Sequence, residues 1–122
     1  MKYNKGDIVI VRFPFIKTKG DKFQKGRPAV VISSYAVKHR YNDYTLAAIT
    51  SKLPDEIMDL EMIIEPSQKN GLVKESLLRI DFIMTIPAEL ISRKIGTLSQ
   101  KELREAERRL KILFNLWIIN YK

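Results

Sequence analysis

The sequence predicts a mainly β (α+β) domain in which a series of short strands is closed by one carboxy-terminal amphipathic helix, and two observations carry that prediction. β-branched and apolar runs of strand length recur through residues 7–85, separated by polar stretches. One helical pattern follows, opened by Ser99 and Glu102 at capping-box spacing. The chain has 122 residues, enough for a single domain, 1–122, with a core that needs neither metal nor disulfide. It contains no cysteine, which excludes disulfide scaffolds, thiol nucleophiles and cysteine-based zinc sites and agrees with a reducing compartment.

Residues 7–13, DIVIVRF, form the first strand, ended by Pro14. Residues 16–26 read as a basic loop with lysines at Lys17, Lys19, Lys22 and Lys25 and glycines at Gly20 and Gly26. Phe23 interrupts the lysines: it can stack on an unpaired base or pack back on its own protein. The second strand lies in GRPAVVISS, residues 26–34. Pro28 lacks a backbone donor and suits a strand's first position, while Ala29, Val30, Val31 and Ile32 form an apolar run suited to burial on both faces. Arg27 stands at the mouth of that run, where an always-charged guanidinium is well placed to face a phosphate. It is also where an ordinary surface arginine would sit.

Residues 35–43 are polar and hold the only histidine, His39, between Lys38 and Arg40. With no evident orienting carboxylate it reads as a solvated loop residue rather than a general base. Residues 45–50 make the third strand, ending in Thr50, Ser51 and Lys52. Residues 60–65 make a fourth, with Leu60, Met62 and Ile64 alternating against Glu61, Ile63 and Glu65. Together with Asp55, Glu56 and Asp59 these acids would repel a polyanion, so the strand is expected away from any such binding face unless its acids meet a neighbour's basic groups. A turn at 67–71 leads to a strand at 76–85 carrying Arg79 and Asp81; residues 87–96 give a turn and a short strand. In the helix, Leu103, Ala106, Leu110, Leu113, Phe114 and Trp117 fall along one face. Ile112, Leu116, Ile118 and Ile119 make its end apolar almost all round, which predicts a second contact surface and most simply a dimer, or else a helix sunk in its own core.

The net charge is +8, and it is unevenly spread: residues 1–52 hold 11 basic and 3 acidic side chains, residues 53–122 hold 11 of each. An excess confined to one half predicts a polyanionic partner, nucleic acid first and an acidic protein segment second, although a basic surface can also serve solubility alone. No apolar stretch is long enough for a signal peptide or a membrane span, so a cytoplasmic protein without membrane contact is expected. A lone histidine cannot supply a histidine metal pair, His39 has no evident orienting carboxylate for a Ser/His/Asp set, and no glycine-rich phosphate loop is present. Arginine and hydroxyl chemistry on a phosphodiester remains. In RNA the 2′-hydroxyl can attack its own phosphate, leaving the protein to orient it and stabilise the developing charge.

Four blocks, GDIVIVRFPF, KGRPAVVISS, AAITSKLP and SLLRIDFIMTIPAELISRKIGTLS, come in this order across roughly residues 6–114. The ordered series resembles the MazF/PemK group of toxin endoribonucleases. That resemblance implies an SH3-like β-barrel with a carboxy-terminal helix, forming a homodimer that cuts single-stranded RNA at short sequences with no metal or other cofactor. By similarity the catalytic positions are Arg27 and Thr50, and the products are a 2′,3′-cyclic phosphate and a 5′-hydroxyl. A cognate antitoxin with an acidic flexible segment is implied as well. Since a guanidinium is a poor proton acceptor, Arg27 is assigned charge stabilisation rather than the base role. On their own chemistry, Lys17, Lys19, Lys22, Phe23 and Lys25 of the loop and Ser51 and Lys52 after Thr50 are the candidate RNA contacts.

Two other readings stand beside this one. CcdB-like toxins resemble the same barrel but trap DNA gyrase through the carboxy terminus without catalysis; their ending of tryptophan, glycine and isoleucine differs from WIINYK here. A nucleic-acid-binding regulator that keeps the fold without the activity is the third.

Overall fold

Side chains alternating between two buried faces turn the apolar runs into one antiparallel sheet in the computed structural model, which describes residues 2–12 and 26–116. Its strands are β1 (Asp7–Arg12), β2 (Gly26–Val31), β3 (Asp43–Thr50), β4 (Glu61–Ile64), β5 (Ser76–Pro87) and β6 (Ile91–Thr97), followed by the helix α1 (Gln100–Phe114). The spatial order is β4-β5-β3-β2-β1-β6. The architecture is mainly β with a carboxy-terminal helix, as the sequence predicts; the curled sheet is barrel-like, but its edges β4 and β6 do not pair with each other.

Each face of the sheet carries its own core. Val9, Val11, Ala29, Val31, Leu46 and Ile86 pack on one side with Tyr3 and Tyr44, whose rings meet edge to face at 5.3 Å. Ile8, Val30, Ala47, Ile49, Met62, Ile64, Leu78 and Ile80 pack on the other with Leu98 and Ala106. Burial of Ala29, Val30 and Val31 on opposite faces matches the expectation for the second strand. That strand ends earlier than its apolar run, because the Ser33 hydroxyl accepts the Thr45 amide (3.1 Å) and the Ser34 hydroxyl that of Ala36 (3.2 Å), diverting the backbone from the ladder.

The long strand β5 is what bends the sheet. Between the pairs Ile49–Leu78 and Ala47–Ile83, β3 advances two residues while β5 advances five. Such an irregularity kinks a strand and re-aims its side chains. Even-numbered Leu78 and Ile80 accordingly belong to one core, whereas even-numbered Met84 and Ile86 belong to the other.

The helix is capped as its sequence predicts: the Ser99 hydroxyl accepts the Glu102 amide (3.1 Å) and the Glu102 carboxylate accepts the Ser99 amide (2.9 Å). Leu103, Ala106, Leu110 and Leu113 pack on β4 and β5. Phe114 departs from the expected buried face and is exposed, with Ile112 and Leu116 beside it. It lies about 100° round the helix from Leu113, and the helix ends immediately afterwards at Asn115, whose left-handed backbone (φ 53°) turns the chain. Trp117, Ile118 and Ile119 lie outside the described residues. Among the described residues no helix is long and apolar enough to cross a membrane.

A candidate nucleic-acid interface

Strand periodicity alone brings the two predicted catalytic side chains to one face. Ala29 pairs with Ala48, and continuing that register two residues further sets Arg27 opposite Thr50, although ladder pairing itself ends at Ala29 and Ala48. Arg27 is two residues from Ala29, and Thr50 two from Ala48, so both project from the sheet face those alanines occupy. They line one cleft of about 840 Å³ together with Ser51 and Lys52. Gly26, immediately before Arg27, lies against the Ile10 side chain so closely that a Cβ there would overlap it.

The details of the cleft suit an anion. Arg27 is exposed, and among the described residues it makes no ion pair with a carboxylate. The Thr50 hydroxyl oxygen accepts the backbone N–H of Lys52 at 3.1 Å, which fixes the oxygen and leaves its own proton to donate elsewhere. Four cationic side chains, Arg27, Lys52, Lys74 and Arg79, line the walls against one carboxylate, Glu61. A concave surface lined by one sign of charge focuses its field on an incoming polyanion. Among the described residues no three His, Asp or Glu side chains converge as a metal-ligand group.

Lys17, Lys19, Lys22, Phe23 and Lys25 lie outside the described residues. His39 sits in an exposed loop and does not line the cleft, but a carboxylate does approach it: Asp43 Oδ1 is 4.0 Å from Nε2, while Nδ1 meets the Val37 carbonyl oxygen at 2.9 Å. The fourth strand is expected away from a polyanion-binding face unless its acids meet a neighbour's basic groups, and Glu61 falls under that exception. Glu61 enters the cleft wall because β4 pairs with β5, where Glu61 lies opposite Arg79.

Three cleft residues, Lys74, Arg79 and Phe82, were not singled out as contacts from sequence. Lys74 comes from the segment after the turn at 67–71, which is anchored by buried Asn70: its side chain accepts the Ser67 and Leu72 amides (both 3.0 Å) and donates to the Glu65 carbonyl (2.7 Å). Arg79 and Phe82 come from the kinked part of β5. An arginine inside an apolar strand was the one signal available for Arg79.

A second groove, of about 600 Å³, runs between β4 and α1 and is lined by Glu61, Met62, Lys101, Arg104 and Arg109 among others. Its lining carries four cations, Lys101, Arg104, Arg108 and Arg109, against two carboxylates, Glu61 and Glu105, and Glu105 pairs with both Arg108 (2.8 Å) and Arg109 (2.7 Å). The Arg108 hydrogen bond is the main cause holding the Glu105 carboxyl below its usual range.

A family model described as the PemK-like, MazF-like toxin of type II toxin-antitoxin systems matches residues 4–114. None of the curated proteins compared matches the sequence. Among solved structures, the Mycobacterium tuberculosis toxin MazF-mt6 is similar at 22% identity and TM-score 0.71, covering 92% of this chain and 99% of that one. An endoribonuclease in complex with its cognate antitoxin from a mycobacterial species is similar at 13% identity and TM-score 0.74, covering 96% and 99%. A MazE-MazF structure from Deinococcus radiodurans is similar at 16% identity and TM-score 0.73, covering 94% and 97%. At these identities the structural likeness establishes the fold.

Proposed function

The chain belongs to the PemK-like, MazF-like toxins of type II toxin-antitoxin systems, and on that premise we propose that it is an endoribonuclease cutting single-stranded RNA by transesterification. The observation that carries the reading is the meeting of Arg27 and Thr50 in one cationic cleft. The 2′-hydroxyl gives its proton to solvent as its oxygen attacks the adjacent phosphorus, the bond from phosphorus to the 5′-oxygen breaks, and the leaving oxygen takes up a proton from solvent. The products are a 2′,3′-cyclic phosphate and a 5′-hydroxyl. Arg27 stabilises the charge that builds on the phosphoryl oxygens, and the Thr50 hydroxyl donates its free proton to the same group and so orients it. Lys52 and Lys74 hold flanking phosphates, with Ser51 beside them. Because the nucleophile comes with the substrate and the charge is met by fixed cations, the step requires no metal.

The same cleft suits an acidic antitoxin segment, which would compete with RNA for its cations. One of the similar structures is an endoribonuclease in complex with its cognate antitoxin, which supports a cognate antitoxin as partner. The exposed Ile112, Phe114 and Leu116 support a homodimer that covers them.

The deciding assay incubates the purified protein, and Arg27→Ala beside it, with a long single-stranded RNA in excess EDTA and determines the fragment ends. Discrete fragments with cyclic phosphate ends are expected, reduced for the folded variant by a factor on the order of a hundred or more. Intact RNA from a folded wild-type protein, or equal cleavage by Arg27→Ala, overturns the assignment.

A further inference from the structure

The kink of β5 does more than bend the sheet. Arg79 and Phe82 are three residues apart, and in a regular strand an odd separation puts two side chains on opposite faces. Here the three extra residues of β5 between its pairings with Ile49 and Ala47 reverse the alternation, and both side chains line the cleft that holds Arg27 and Thr50. The Arg79 guanidinium carbon lies 5.2 Å from the centre of the Phe82 ring. Its other partnerships are weak. One terminal nitrogen reaches Asp81 at 3.3 Å with both side chains 40% exposed, a pair that solvent screens, and Nε is buried without any hydrogen-bond partner. Glu61 lies opposite in the ladder, yet it turns its carboxylate to the Met58 amide at 2.9 Å.

We infer that Arg79 and Phe82 form a base-reading subsite beside the scissile phosphate, an inference that rests on the ribonuclease reading. An unpaired base stacks against the half-buried Phe82 ring, as bases do on aromatic side chains in single-strand recognition. Arg79 addresses the edge of that base. A guanidinium carries donors only, in a planar fork, and so selects an edge with two neighbouring acceptors. Guanine offers N7 and O6, and cytosine offers N3 and O2. On the same Watson–Crick and Hoogsteen edges, adenine and uracil present a donor next to each acceptor. The subsite therefore restricts one nucleotide position to guanine or cytosine, while Arg27 and Thr50 act on the phosphate whatever the base.

The test compares the wild-type protein, Arg79→Lys and Phe82→Leu on a pool of single-stranded RNAs randomised around the cut, with fragment ends sequenced. The lysine keeps the charge and stem but not the fork, and the leucine keeps the apolar bulk but not the ring. For the wild type, one position is expected to be restricted to guanine or cytosine, and which of the two appears identifies the edge read. Arg79→Lys should relax that position by about tenfold or more, and Phe82→Leu should slow cutting of the preferred sequence by about tenfold, with its choice of base unchanged. Wild-type cleavage with an unaltered preference in Arg79→Lys overturns the subsite and leaves the ribonuclease reading standing. A wild-type preference for adenine or uracil at the position that Arg79→Lys relaxes overturns the fork. No cleavage by the wild-type protein overturns the ribonuclease reading and the subsite with it.

Discussion

Thr50 shows how much a single hydrogen bond decides at the residue scale. With its oxygen already accepting the Lys52 amide, the hydroxyl has one proton free and one orientation favoured. Thr50→Val keeps the shape and removes that donor. Single-turnover cleavage should fall by about a hundredfold, while RNA binding stays near wild type. Lys52 has a different role, as a charge rather than an oriented donor. For Lys52→Ala, RNA affinity should weaken similarly for all sequences, and the slope of log affinity against log salt should become shallower by about 0.7, the value for one phosphate contact on a single strand. A slope equal to that of the wild type would remove Lys52 from the phosphate contacts. Arg27, Thr50, Ser51 and Lys52 were legible because each stands at the end of a strand whose apolar run is plain in the sequence. Lys74 was not, since its place depends on a turn held by buried Asn70.

At the scale of elements, local chemistry read from sequence carried over where partners are close in the chain. The capping box is one case. Ser99→Ala should lower stability by about 0.5–2 kcal/mol, measured by urea unfolding, without changing the folded spectrum. The turn at 67–71 is another, and it is tied to β6: Gly71 has φ of 72°, and a Cβ there would overlap the Ile95 carbonyl. Gly71→Ala should cost about 1–3 kcal/mol for the strained backbone alone. Just past the far end of β4, a hydrogen bond that the protonated Glu65 carboxyl donates to Glu75, with desolvation and the repulsion of that neighbour, holds Glu65 above its ordinary value of 4.5. A raised carboxyl pKa means that the folded state binds the proton more tightly than the unfolded chain. The resulting stability is present at acid pH and is lost as pH rises through the raised value. Glu65→Gln should therefore melt at the same temperature as the wild type in acid and above it near neutrality. A gap that opens instead on acidification would contradict the coupling.

For the molecule as a whole, the exposed end of α1 bears on assembly. Phe114 and Leu116 are 58% and 60% exposed. Covering such a side chain from full exposure is worth about 1.5–3 kcal/mol; a homodimer would gain a little over half of that in each of two copies, so Phe114→Ser should weaken a dimer by roughly thirty- to a few hundredfold in sedimentation equilibrium. A wild-type protein that sediments as a monomer at micromolar concentration would contradict the dimer.

Properties set by neighbours along the chain were determined by the sequence itself: the strand runs, the capped helix, the charge excess of residues 1–52, and the ordered blocks that resemble the family. They follow from side-chain periodicity and local hydrogen bonds, which need no distant partner. The tertiary structure decided the rest. Which acid shares a wall with which base, as Glu61 does with Arg79, depends on strand order. The face that Arg79 and Phe82 share depends on a three-residue mismatch between β5 and β3, and a register is a relation between two strands that neither one carries alone.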